Sequence, residues 1–244
     1  MSVPRHWSDV LRAPAFVINL DARSDRLTAS TEELHQAGFS DVRRFKAVDG
    51  AAPGVLDEAW DRLGTPQFDS RDTWFRVHAG SQGCLLSHIG VWQEIIDQSL
   101  PFACVFEDDI FFHRHWTYLA PTYFNFTPTD YDLMFMGSRI VEASVGLVQR
   151  VPVYCTHAYL IPLEGAIRMR SVMLDDPEGV GTIDVKISRH QFLEHDREGT
   201  CPFNWYVWNG ITFPEQRALY HPTWKLGNSG LVFQNHGLAS DIAE

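Results

Sequence analysis

The chain has 244 residues and is 45% apolar, the length and composition of one large globular domain with a full core. Its net charge is -11 and its lysines are only Lys46, Lys186 and Lys225. That balance argues against nucleic acid or an anionic membrane as the main partner, while Arg23, Arg26, Arg43 and Arg44 leave room for a local basic pocket.

Ala15-Phe16-Val17-Ile18-Asn19-Leu20 is a short β-branched run and predicts the first strand. A helix is expected from Ser24 or Asp25, either of which can cap it, to about Ala37, with Gly38 ending it. Val42 to Ala47 predicts a second strand, followed by a turn-rich loop from Val48 to Gly54. Leu56 to His78 is poorly patterned apart from a short helix near Asp57 to Leu63, and reads as an insertion near a site. Gly80-Ser81-Gln82-Gly83 introduces a strong helix to about Gln98, with Cys84, Ser87 or His88, Val91 or Trp92, and Ile95 at helical spacing.

Phe102 to Phe106 and Tyr131 to Gly137 predict further strands, and Val145 to Pro152 a hairpin arm. Thr156 to Ile161 reads as a strand, Glu164 to Leu174 as a helix, Asp175 to Gly179 as a turn, and Ile183 to Phe192 as a helix with Asp184 in its first turn. Weak strands are expected around Ile211 and Leu231. Helices and strands alternate early and become irregular late. That pattern predicts one α/β domain with a mostly parallel central sheet, a nucleotide-binding half over about 15–137 and an acceptor-binding half over about 138–244.

Cys84, Cys104, Cys155 and Cys201 lack paired metal spacing and read as free thiols, which fits a reducing compartment. Met1 to Pro14 carries charges without an apolar core, unlike a signal peptide, and no stretch is long and apolar enough to span a bilayer. A cytoplasmic protein is expected, with peripheral contact to a lipid-linked acceptor still open. His113 and His115 read as a surface pair.

The acidic run Glu107-Asp108-Asp109 closes the buried strand that ends at Phe106. Adjacent carboxylates raise one another's pKa unless a cation balances them. In open α/β sheets, ligands sit beyond the carboxyl ends of strands. Hard oxygen ligands suit Mg²⁺ or Mn²⁺ bridging to substrate phosphates. The run therefore reads as a metal–diphosphate site, with a solvated acidic turn as the bland alternative.

Two further segments join it. The strand Phe16-Val17-Ile18-Asn19-Leu20-Asp21 is followed by Arg23 and Arg26, and Gly80-x-x-Gly83-Cys84-x-x-Ser87-His88-x-x-x-Trp92 opens a helix. In this order, with Tyr131-Asp132-Leu133, Gly137, Thr156-His157-Ala158-Tyr159-Leu160, Gly165-Ala166 and Asp184, the chain resembles glycosyltransferase family 25. That family includes bacterial lipopolysaccharide β-galactosyltransferases and collagen galactosyltransferases. The resemblance covers Ala15 to about Ser188 and implies a GT-A-like fold, a nucleotide-sugar donor such as UDP-galactose, and transfer with inversion to a glycan or peptide hydroxyl.

On that resemblance Asp109 is the expected ligand of Mn²⁺ or Mg²⁺, and Asp108 or Glu107 faces the ribose or the sugar. Arg23 and Arg26 are expected to contact the nucleotide, although their spacing also fits a solvated helix face. Asn19 and Leu20 are expected to line the base pocket. Ser87 and His88 are assigned to the site, against a core histidine as the alternative. Asp184 is the expected general base, against an ordinary first-turn acid. A second metal ligand is left open between His221 and His236, and Asp241 is placed near metal, donor or acceptor. The aromatic segment Pro202 to Trp208 reads equally as an acceptor site or a core cluster. Trp224, in Pro222-Thr223-Trp224, stands where the collagen-type branch has His.

Overall fold

The computed structural model describes residues 3–64, 66–140, 146–196, 201–209 and 227–235. Its centre is one mixed sheet. Three strands, β1 (Pro14–Asn19), β2 (Asp41–Lys46) and β3 (Phe102–Glu107), run parallel, with β1 in the middle. A short β4 (Ile110–Phe112) follows outside this sheet. The sheet continues through β5 (Leu133–Ile140), β6 (Val148–Gln149), β7 (Val153–Pro162) and β8 (Trp205–Trp208), in the order β2-β1-β3-β7-β5-β8-β6. Strand β9 (Gly227–Gly230) pairs with β5, and β10 (Val232–Gln234) pairs with β4 in a separate two-stranded sheet. The expectation of a mostly parallel sheet is corrected: β7 runs antiparallel to both β3 and β5, and β6 antiparallel to β8. Val148–Gln149 is no hairpin arm either, because its partner is β8, far along the chain.

Helices cover both faces. α1 (Trp7–Arg12), α2 (Ser24–Ala37) and α6 (Trp116–Phe126) contribute Val10, Leu34, Ala120 and Tyr123 to one core, against Val17, Cys104, Phe106, Met134 and Leu160. α3 (Val55–Arg62), α4 (Thr73–Val77), α5 (Ala79–Asp97), α7 (Leu163–Leu174) and α8 (Ile183–Asp196) contribute Trp60, Phe75, Leu85, Trp92, Met169 and Ile187 to the other, against Phe16, Val105, Phe135 and Tyr159. Alternate residues of each strand thus enter opposite cores. This explains why the strands read as continuous apolar runs.

Local signals hold where turn chemistry is strong. Gly38 takes φ +101° at the end of α2, and the Phe39 N–H closes the last turn on Leu34 O at 3.0 Å. The aromatic segment resolves as core: Phe203, Trp205 and Trp208 are buried, with the Trp208 indole donating to Thr127 Oγ1 at 2.9 Å. His113 is likewise buried, not a surface residue, and its Nδ1 accepts the His115 N–H at 3.0 Å. Ile211 lies outside the described residues, and Leu231 sits between β9 and β10.

The loop after β2 lies directly on the first turns of α5. A Cβ on Gly83 would stand 2.4 Å from Val48 O, and one on Gly50 1.9 Å from Ala79 O. These backbones touch because neither residue has a side chain. Gly83→Ala is therefore expected to lift the loop and lower stability by about 1–3 kcal/mol, read as a shift in urea midpoint at unchanged slope.

Candidate active site

The cleft holds about 170 Å³ and is lined from β1, β3, the loop after β2, α2, α5 and β10; Asp184 is not among its lining residues. Its floor is the adjoining carboxyl ends of β1 and β3, where Ile18 pairs with Glu107. Ile18, Leu20, Ala47 and the loop Val48–Ala51 form one wall, and Ala79, Gly80, Gly83, Cys84, Ser87 and His88 of α5 form the other. Arg26, Glu107, Asp108, Asp109 and Gln234 complete it.

Strand alternation divides the acidic run. Glu107 shares the face of Val105 and points toward α5. There its Oε1 accepts from Thr156 Oγ1 at 3.2 Å and lies 3.7 Å from His88 Nε2. Its Oε2 accepts from Gln234 Nε2 at 3.0 Å. Burial pushes Glu107 up, but the His88 and His157 imidazoles and the Thr156 hydroxyl outweigh it and hold the carboxyl below its ordinary range. Asp108 points the other way, toward α2. Its Oδ2 accepts from Asn19 Nδ2 at 2.7 Å, and its Oδ1 meets Arg26 at 3.2 Å. Burial raises its pKa, and Asn19 and Arg26 oppose the rise.

Asp109 is supported only weakly, by the charge of Arg26 and its own backbone N–H. Burial, with the Glu107 charge beside it, pushes its carboxyl up to about 7. Its Oδ1 is buried and has no hydrogen-bond partner among the described residues. A buried carboxylate oxygen without a donor is destabilising on its own, and a bound cation would relieve it. The backbone O of Asp109 accepts from Asn235 N at 2.6 Å, which brings the chain after β10 against the acidic run.

The structure assigns the remaining predicted residues to distinct places. Leu20 and Arg26 line the cleft, and Arg26 is 4% exposed, so it is not a solvated face. Asn19 is buried behind Asp108, also donating to Arg23 O at 2.8 Å and accepting from Arg44 Nε at 3.1 Å. It positions the site from behind. Arg23, rather than Ser24 or Asp25, precedes the first turn of α2; its side chain does not cap the helix and pairs with Asp25. Ser87 pins the neighbouring loop, donating to Gly83 O at 2.6 Å and accepting from Val48 N at 2.8 Å. His88 is fully buried; its Nδ1 meets Tyr159 OH at 2.8 Å, and the same hydroxyl accepts from Trp92 Nε1 at 2.9 Å.

Asp184 sits in the first turn of α8, and its Oδ2 accepts from Cys155 N at 3.2 Å. Burial, with the Glu107 charge adding to it, raises its pKa. Cys155 holds φ +67°, a strained conformation for a residue with a Cβ, at the point where β7 reaches this carboxylate. The poorly patterned stretch before α5 is tied to α8: Asp72 Oδ2 accepts from Thr182 N at 2.7 Å, and Lys186 Nζ lies 2.6 Å from Asp176 and 3.5 Å from Asp69.

Several contributors were not assigned to the site from sequence. Thr156, Tyr159 and Cys84 belong to the segments that carry the family resemblance but were given no site role, and Gln234, from β10, carried no signal of its own. The loop Val48–Ala51 was legible as a loop, and Gly50 beside Gly83 was the available hint of close approach. His221, His236, Asp241 and Trp224 lie outside the described residues.

The family model for glycosyltransferase family 25 (LPS biosynthesis protein) matches residues 12–137, which hold β1, α2, α5 and the whole acidic run. This chain belongs to glycosyltransferase family 25. A procollagen galactosyltransferase 2 of Mus musculus is 30% identical over 180 residues, covering 68% of this family 25 chain and 29% of the mouse protein. A glycosyltransferase 25 family member of Drosophila melanogaster is 27% identical over 234 residues, covering 89% of this chain and 36% of its own. A human protein named inactive glycosyltransferase 25 family member 3 is 29% identical over 171 residues, covering 63% of this chain and 28% of its own. The chain thus spans roughly a third or less of the length of these relatives.

Proposed function

We propose that this family 25 chain is a metal-dependent, inverting glycosyltransferase of GT-A-like fold. In this reading it moves galactose from UDP-galactose to a hydroxyl on a glycan or peptide. The observation that carries it is Asp109: a carboxylate with a buried, unpartnered oxygen, at a strand end, in a cleft also lined by the first residues of a 19-residue helix. A hard oxygen donor of this kind fits Mn²⁺ or Mg²⁺. When bound, the ion supplies charge neutralisation for the diphosphate leaving group. The names of the mouse relative and of the family model support galactose as donor sugar and a glycan among the acceptors.

The chain's own groups divide the remaining work. Leu20, Ile18 and Ala47 offer an apolar wall to the base. The N-terminal turn of α5 offers backbone N–H groups and the positive end of its dipole to the diphosphate. Asp108, held by Asn19 and Arg26, and Glu107, held by Thr156 and Gln234, accept hydrogen bonds from ribose or sugar hydroxyls. Asp184 takes the acceptor hydroxyl's proton as that oxygen attacks the donor's anomeric carbon from the face opposite the diphosphate. Its raised pKa makes it a stronger base than an exposed aspartate.

The same reading places donor and acceptor halves in one domain, supported by the single sheet that runs through both. It places the protein in the cytoplasm, supported by four free cysteines, with a lipid-linked acceptor reached from the membrane surface. No helix among the described residues is long and apolar enough to cross a membrane.

The deciding assay supplies Mn²⁺ and UDP-sugars and follows free UDP and sugar phosphate. Acceptor-stimulated UDP release is the expected result. Sugar phosphate would indicate a phosphohydrolase, and binding without turnover a silent module; one human relative is named inactive. Asp184→Asn is expected to keep donor binding while losing about 10²–10⁴-fold in turnover. Normal turnover in that variant would remove Asp184 as the base.

A further inference from the structure

We propose that the inner wall of the cleft is a second cation site, of softer chemistry than Asp109. Cys84 Sγ, His88 Nε2 and the Glu107 carboxylate form a three-ligand site for Zn²⁺ or a similar borderline-soft divalent ion. One ligand atom from each residue lies within 4.8 Å of the other two. Cys84 and His88 are four apart on α5 and so share a face, and Glu107 meets that face from the end of β3. Ligands around tetrahedral zinc stand about 3–4 Å apart, given Zn–S and Zn–N bonds near 2.3 and 2.0 Å. Closing the triad thus needs side-chain movement of about an ångström.

The surroundings suit such a site. His88 Nδ1 is engaged by Tyr159 OH at 2.8 Å, which itself accepts from Trp92 at 2.9 Å, so the ring is oriented with Nε2 toward Glu107. Metal-binding histidines are held through their second nitrogen in this way. Thr156 and Gln234 hold the two oxygens of Glu107. All three ligand residues line the open cleft, leaving a fourth position for water or a ligand. Thiolate and imidazole together favour Zn²⁺ over Mn²⁺ or Mg²⁺, whereas the carboxylate of Asp109 favours the harder ions. The cleft therefore sorts cations by softness between two neighbouring positions. Binding at the softer one releases the Cys84 thiol proton to solvent and withdraws Glu107 from any hydroxyl it holds.

Co²⁺ stands in for Zn²⁺ as the optical probe. It is titrated into the reduced, metal-free protein without nucleotide, so the outcome is independent of the transferase reading. One equivalent is expected to give thiolate-to-cobalt charge-transfer absorption, displaced by Zn²⁺ and not by Mn²⁺. Asp109→Asn, Cys155→Ser and Cys201→Ser should keep the band. Cys84→Ser should lose it, with affinity falling by more than the roughly 10–100-fold that loss of a supporting group costs. Glu107→Gln should keep the band and bind Co²⁺ at least about tenfold more weakly, and it serves as the test if Cys84→Ser does not fold. No charge-transfer band, an unchanged band in Cys84→Ser, or unchanged affinity in Glu107→Gln overturns the site.

Discussion

Asp109→Asn is expected to make the metal-free protein more stable while sharply reducing the metal-dependent turnover proposed above. The folded protein holds this carboxyl's proton up to about pH 7, against a value of 3.8 for an unperturbed aspartate. Below pH 4 both folded and unfolded forms are protonated and the residue is neutral to stability. Between pH 4 and 7 the unfolded chain ionises while the folded one does not, so stability declines with each step in pH. Above pH 7 the penalty is complete, because a charge then sits beside Glu107 with a buried oxygen unpartnered.

Asparagine removes that charge. We expect a gain on the order of 2 kcal/mol at pH 8, less than the full ~1.4 kcal/mol per pKa unit because solvent reaches part of the carboxylate. Near pH 4 the gain should vanish. Mn²⁺ at a hundredfold excess over its dissociation constant should add about 2.7 kcal/mol to the parent and almost nothing to the variant. Turnover should fall about 10³-fold, the loss that follows from about 4 kcal/mol of transition-state stabilisation. Thermal unfolding at pH 4 and 8, with and without Mn²⁺, reads all of this. Equal melting temperatures for both proteins at pH 8 without metal, together with equal Mn²⁺ shifts, would remove Asp109 as the ligand.

Asp69→Asn is expected to be the most destabilising of these substitutions, by about 3–5 kcal/mol, because it breaks a buried ionic network. Asp69 is 1% exposed and faces Arg71 Nε at 3.1 Å, Lys186 at 3.5 Å and the Arg189 guanidinium; Lys186 is equally buried. Asp176 holds Lys186 and His190 from the other side, and Glu178 pairs with Arg71 and Arg189. Removing the Asp69 charge takes from the partly exposed Arg71 and Arg189 their shared buried carboxylate and leaves the buried Lys186 with Asp176 alone.

Burial works against the Asp69 carboxylate, but its hydrogen bonds and ion pairs with Arg71 and Arg189 win and hold it well below the ordinary range. Its stabilisation is therefore present above about pH 4 and is lost as pH falls toward the folded value. The parent should lose urea stability below pH 4, and the variant should show a shallower acid limb. The network joins the stretch before α5 to the helix bearing Asp184, since Asp69 N also donates to Val180 O at 2.8 Å. Turnover should fall with stability, whereas an unaffected midpoint would show that these ions are solvated.

Much of the molecule was legible because its signals are local. The β-branched run at Phe16–Asn19, Gly38 after α2 and the acidic run closing β3 each declare themselves within a few residues. Period-two alternation even contains the division of labour between Glu107 and Asp108, since neighbours on an extended chain must face opposite cores. What stayed hidden depends on distant partners. The antiparallel insertion of β7 between β3 and β5 leaves no mark in its own apolar sequence, because parallel and antiparallel central strands bury the same residues. Yet that insertion delivers Thr156 to Glu107, Tyr159 to His88 and the Cys155 N–H to Asp184. Asn19 looked like a ligand contact, and its burial behind Asp108 makes it a support. The sequence alone specified which residue types gather at the strand ends and hence the family's chemistry. Tertiary packing decided which carboxylates are held by neighbours and which one, Asp109, keeps a buried oxygen without a donor among the described residues, because hydrogen-bond partners are assigned by contact across the sheet and not by position along the chain.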